Sequence, residues 1–181
     1  MNERLPLQLS RSRNDPLGFA TRTRQNLEGI ERARASGVDV HVVTQLMLSL
    51  LGLIVFPEED HCYEPIAPWR LDELEQSGWP KWNILLGTSD TLGDLIRHLR
   101  NSVSHRRVTF SSDSPEINEV SIEFSDHWGK DPSPYWHVRI EASDLRKFCL
   151  RLINFIEAVP ASLKLDSPSG VTVDISTAVS S

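Results

Sequence analysis

Hydrophobic positions recur along this chain at two periods, and the change from one to the other divides it. From Pro16 to Gly37 ("PLGFATRTRQNLEGIERARASG") a sparse stripe marked by Leu27 and Ile30 has a helix's punctuation, with Asp15 as a cap, Pro16 in the first turn and Gly37 where the helix stops. The next stretch, "DVHVVTQLMLSLLGLIVFPEED", opens on Asp39 as a candidate cap and is apolar on most faces until Pro57 stops it, as befits a central helix of a bundle. Its most apolar run, Leu46 to Phe56, is about half of the roughly 20 residues a membrane span requires, so a buried helix is expected. Residues 57–89 are rich in Pro and Trp and read as an irregular connection carrying one short helix, about Leu71 to Gln76. From Asp90 the helical period returns, with Leu92, Leu95, Ile96, Leu99 and Val103 on one stripe.

Three short alternating segments follow: "RVTF" (107–110), "VSIEF" (120–124) and "WHVRIEA" (136–142), separated by polar turns. Ser143 then caps a last amphipathic helix with Leu145, Phe148, Cys149, Leu152 and Phe155 or Ile156 on its buried face. The expected fold is mainly α: a helical bundle with a small antiparallel β-sheet (107–142) inserted before the last helix. One domain over 15–158 is flanked by an arm (1–14) and a Ser-rich, flexible tail (159–181). Trp69, Trp79 and Trp82 either anchor the connection to the core or form a base-stacking platform; packing is the commoner fate of such clusters.

Composition narrows the chemistry. A formal net charge of -6 argues against a protein that coats nucleic acid generally, while leaving room for a local basic pocket. Two cysteines without metal-type spacing, and no secretory segment, point to a cytoplasmic setting. His61 and Cys62 are adjacent, which is poor geometry for sharing one ion, so no metal site and no cofactor are expected. Gly87 and Gly93 do not make a phosphate loop, so ATPase chemistry lacks support. His41, His127 and His137 are scattered, and alternation gives His137 an ordinary surface position.

Against that acidic background "LIRHLRNSVSHRR" (95–107) gathers four arginines and two histidines with no carboxylate among them. Projected at about 100° per residue, Asn101 lies nearly opposite the apolar stripe, with Asp94, His98 and His105 on the same polar side and Arg97 flanking it. Arg100 sits nearer the stripe's boundary, about 140° from His105, so one straight helix does not clamp a ligand between that pair. A second copy of the helix, or a distorted helix end, is needed. His98 is expected to hydrogen-bond within the bundle. For Arg106 and Arg107 two uses stand side by side: complementing the dipole at a helix end, or contacting phosphates.

Arg100, Asn101, Ser102, Val103, Ser104 and His105 reproduce the R-N-x-x-x-H signature of the HEPN superfamily, and residues 17–158 resemble a prokaryotic, often mobile-element-borne HEPN branch, notably over Val43 to Glu59. The resemblance implies a homodimer whose two R-x4-H motifs face each other across a composite active site, cutting RNA without a metal and leaving a 2′,3′-cyclic phosphate. On it, Arg100, Asn101 and His105 are the catalytic residues and Arg97, Arg106 and Arg107 bind the RNA. It implies a role in phage defence or as a toxin, with a regulatory or antitoxin partner. Members with worn motifs are non-catalytic modules that bind RNA or a nucleotide, or scaffold a partner; a purely structural dimerisation domain is the third reading. In members silenced by nucleotide attachment a tyrosine stands two residues past the motif histidine; here that position is Arg107, which puts such silencing in doubt.

Overall fold

Proline at the first helical position and glycine just past the last set the limits of α1 (Pro16–Ala35). Gly37 takes a left-handed φ of 88°, and the amides of Gly37 and Val38 close the end on the carbonyls of Arg34 (2.9 Å) and Ala33 (3.0 Å). The computed structural model describes residues 16–59, 62–129 and 131–158; the arm, Asp15, His61 and the tail lie outside the described residues.

α2 (Val42–Glu59) starts beyond Asp39, so that residue does not cap it and instead lies 3.7 Å from Arg34. Nor does Pro57 stop it: the helix runs two residues further. Proline has no N–H for the Leu53 carbonyl one turn back, and the Tyr63 hydroxyl donates to that carbonyl instead at 2.7 Å. Leu46, Leu50, Leu53 and Ile54 are fully buried, as a central helix requires.

The connection at 57–89 is more ordered than its composition suggests. It holds α3 (Leu71–Gln76) and also a strand, β1 (Asn83–Leu86). Trp82 meets Phe148 edge-on at 5.0 Å, Trp79 meets Phe148 at 5.9 Å and Trp69 meets Phe155 at 6.1 Å. All three tryptophans are therefore anchors onto the last helix.

α4 (Leu92–Ser104) precedes β2 (Val108–Phe110), β3 (Ser121–His127) and β4 (Pro134–Glu141). The strands form one antiparallel sheet in the order β1-β4-β3-β2. The sheet is thus not confined to an insertion after α4, because its β1 edge comes from before that helix. β4 passes without a loop into α5 (Ala142–Ala158), so Ser143 lies inside the first turn and is not the cap.

Inward positions of the sheet, Ile122 and Phe124 on β3 with Trp136, Val138 and Ile140 on β4, join the buried faces of the helices in one apolar core. α4 packs on β3, and α5 packs on α1, α2 and β4. Ion pairs from Arg24 to Glu157 (2.8 Å) and from Arg146 to Glu31 tie α1 to α5. Gly87, with φ 75°, ends β1 so close to β4 that a Cβ would stand 2.6 Å from the Tyr135 carbonyl oxygen. No helix among the described residues is long and apolar enough to cross a membrane.

Candidate functional site

The site is built where α4 lies on β3. Thr91 caps the helix: its hydroxyl accepts from the Asp94 amide (3.2 Å) and donates to the Asp94 carboxylate (2.9 Å). That carboxylate also takes the exposed Arg97 guanidinium at 3.1 Å. The other end closes by the pattern seen in α1, with Arg106 N–H on the Val103 carbonyl (3.2 Å) and Arg107 N–H on the Ser102 carbonyl (2.8 Å). Here the left-handed residue is Arg106, φ 56°, where α1 uses glycine.

Between these ends the buried face is wider than the apolar stripe. It takes in Ser102, whose hydroxyl bonds back to the His98 carbonyl at 2.7 Å, and His98 itself, 4% exposed. The helical projection put His98 on the polar side; it is buried because β3 covers that flank. Its ring stacks on Trp136 with centroids 4.7 Å apart and planes 17° from parallel.

What holds His98 is Asp126, 2% exposed, the polar member of the inward face of β3. One oxygen, Oδ2, accepts from three donors: His98 Nδ1 (2.9 Å), Asn101 Nδ2 (2.9 Å) and the Tyr135 hydroxyl (2.7 Å). The other accepts the His127 amide at 2.9 Å and lies 3.7 Å from the Arg107 guanidinium. Burial alone would push this carboxyl up, but the hydrogen bonds from His98, Tyr135, Asn101 and the His127 amide together outweigh it and hold the group below the ordinary aspartate range. An ionised carboxylate only accepts, so His98 carries its proton on Nδ1. Arg97, which only donates, faces the remaining lone pair on Nε2 at 3.5 Å. Tyr135 is pushed up to about 12 by burial and by donating to the same carboxylate, so it stays a donor.

The expected site residues therefore fall into two groups. Asn101 is drawn into the buried network, and its amide is oriented by an acceptor that leaves Oδ1 available to accept from a ligand. Arg107 braces the hairpin, donating to the carbonyls of Gly129 (2.9 Å) and His127 (3.5 Å) with its side chain 20% exposed. Arg97 is exposed beside His98, and Arg100 is half-buried on α4. His105 is the exposed residue that caps the C-terminal end of α4, and its imidazole makes no hydrogen bond among the described residues. Arg106 is exposed next to it. Among the described residues Arg100 and His105 are not joined by a hydrogen bond.

Asp126 and Tyr135 were not among the residues singled out from the sequence. A signal for Asp126 existed: Val120, Ile122 and Phe124 set an inward phase, and the next residue in that phase is Asp126. A carboxylate in phase with a core needs partners, and partners imply a site. Among the described residues no group of three or more His, Cys, Asp or Glu side chains is placed to hold a metal ion.

A family model described as HEPN pEK499 p136 matches residues 9–161, most of the chain. Neither the curated proteins nor the solved structures give a match.

Proposed function

Because the chain belongs to the HEPN pEK499 p136 family, we propose that it is a metal-independent endoribonuclease, acting in the cytoplasm as a homodimer whose cleft is lined by the C-terminal ends of two α4 helices. The observation that carries this reading is Asn101. A motif residue that could have been an ordinary exposed asparagine is instead held on a buried carboxylate shared with His98 and Tyr135. Orienting one amide with that much buried polar structure is what a ligand-contacting group calls for.

The chemistry is transfer of a phosphoryl bond within the substrate. The ribose 2′-OH attacks the adjacent phosphorus, the bond to the 5′ oxygen breaks, and a 2′,3′-cyclic phosphate and a 5′-hydroxyl result. His105, exposed, takes the 2′-OH proton or returns one to the leaving oxygen, the proton transfer for which imidazole is suited. Arg100, always cationic, binds the phosphate as charge builds on its oxygens. Asn101 Oδ1 accepts from the ribose or from His105. Arg97 and Arg106 hold the flanking phosphates, and Arg107 fixes the hairpin beside them. Two protomers supply the arginine and the histidine that one helix holds about 140° apart. Phage defence or toxin action under a restraining partner is the biological setting this reading favours.

The test is incubation of the purified protein with labelled mixed-sequence RNA in excess EDTA, beside Arg100→Ala and His105→Ala. Cleavage to cyclic-phosphate ends is expected, falling about a hundredfold to ten-thousandfold in His105→Ala with its melting temperature unchanged. RNA bound but cut by none of the three proteins would establish a binding module instead.

A further inference from the structure

The turn between β3 and β4 carries an aromatic side chain that the fold does not bury. Trp128 is 70% exposed, more than any other large hydrophobic residue among those described. Such a side chain at a hairpin tip ordinarily reads as a loose end, but this one is held. Its ring stacks on Tyr135 with centroids 4.2 Å apart and planes 19° from parallel, the only ring contact it makes among the described residues. The Trp128 carbonyl closes the turn on the Asp131 amide (2.9 Å), and the carbonyl of Gly129 is tied to Arg107 (2.9 Å).

The platform is also coupled to the motif. Tyr135 donates to Asp126 Oδ2, the same oxygen that holds the Asn101 amide. A rotation of Tyr135 that moved the indole would therefore disturb the acceptor that sets Asn101. Two guanidinium groups stand around the platform: Arg97 reaches His98 at 3.5 Å, and Arg107 donates to the carbonyl of Gly129, the residue after Trp128, at 2.9 Å. The surroundings thus suit a ligand that offers an aromatic face with a phosphate beside it.

We infer that Trp128, backed by Tyr135, is a stacking subsite for one unpaired nucleobase of RNA bound at the α4 motif. This inference rests on the RNA-cleaving reading and deepens it: Arg100, Asn101 and His105 address the scissile phosphodiester, and Trp128 holds a neighbouring base. Stacking on an indole accepts any base, so the subsite selects single-stranded over paired RNA and not one sequence over another.

The test uses the full chain and a short single-stranded 2′-fluoro RNA, which lacks the attacking hydroxyl and so reports binding alone. A set of such RNAs, each with one base removed, is titrated against the parent, Trp128→Phe and Trp128→Ala. Trp128→Ala is expected to bind about tenfold to a hundredfold more weakly, the range of one lost base stack, with the salt dependence unchanged because no phosphate contact is removed. Trp128→Phe should retain most of the affinity. One base-removed RNA should bind the parent about tenfold more weakly yet bind Trp128→Ala no worse than the intact RNA does. Equal affinity of parent and Trp128→Ala, or the same abasic profile for both, overturns the subsite while leaving the nuclease reading intact. A change of oligomeric state by light scattering in Trp128→Ala assigns the indole to a second copy of the chain and also overturns it. No binding of any RNA by the parent defeats both.

Discussion

Two histidines seven residues apart, one within α4 and one capping its end, sit in opposite surroundings. His105 ends the helix, exposed and unpaired among the described residues, in the position the motif spacing marks. His98 is sealed against Trp136, bonded to a buried carboxylate and faced by Arg97. The first has what the proposed proton transfer needs, exposure and no partner to hold the ring among the described residues. The second has what a frame needs, a fixed tautomer and a fixed ring. The difference separates an exposed imidazole at the helix end from one, two turns earlier, locked onto the carboxylate that also holds the Asn101 amide.

The two imidazoles are not expected to be interchangeable. His105→Ala should remove cleavage by the factor given above without moving the melting temperature. His98→Ala should do the reverse in kind. It deletes a donor to Asp126 and leaves a void beside Trp136, at about 2–4 kcal/mol, or roughly 5–15 °C in melting temperature for a domain of this size. Residual cleavage by His98→Ala at a temperature where it remains folded, by circular dichroism and activity on the same sample, is the expected result. A His98→Ala protein as stable as the parent but inactive would give His98 the chemical role.

Asp126→Asn should cost less than His98→Ala. Asparagine keeps the shape, but its NH2 must face either three donors or the His127 amide, at about 1–3 kcal/mol near pH 7. The sign with pH follows from the lowered carboxyl. An unfolded aspartate titrates near about 3.9, and the folded one lower, so its contribution is complete above that value and lost as pH falls through the folded pKa. The stability gap between parent and Asp126→Asn should therefore be constant from about pH 5 to 7 and narrow below about pH 4. Asp72 and Glu123, also held low by hydrogen bonds from Arg70 and Arg139, are common to both proteins and cancel in the difference. A gap that widened in acid would mean that Asp126 is protonated in the folded protein.

Much of the fold was legible because burial and periodicity coincide. Leu92, Leu95, Ile96 and Leu99 face one core, as do Leu145, Phe148, Cys149 and Leu152, so their spacing is sufficient. β1 was not, because it is an edge strand: of Asn83 to Leu86 only Ile84 is even half-buried, and no alternation can be read from it. The motif residues stood out by type and spacing. Their support did not, since His98 lies about 120° from the centre of the apolar stripe and is buried only because β3, distant in sequence, covers that flank. Asp126 was hidden in another way: read as the start of a polar turn, it is the last inward position of a strand.

Two helix ends in this protein are built alike. α1 and α4 both close with paired terminal bonds around a left-handed residue, Gly37 in one and Arg106 in the other. A side chain at φ 56° costs on the order of 1 kcal/mol that glycine does not pay, while glycine adds freedom to the unfolded chain. Arg106→Gly should accordingly stabilise the protein by about 0.5 kcal/mol, 1–2 °C in melting temperature. The same change removes an exposed cation next to His105, so RNA binding should weaken modestly and its dependence on log salt should become shallower by about one. Gly37→Arg in α1 should lose stability by a similar amount and leave RNA binding alone, since that helix end lies outside the motif. If Arg106→Gly gained stability with RNA affinity and salt slope unchanged, the strain at Arg106 would have no functional counterpart. A loss in both slope and affinity would mean that the α4 end gives up stability to place a cation beside the reacting phosphate.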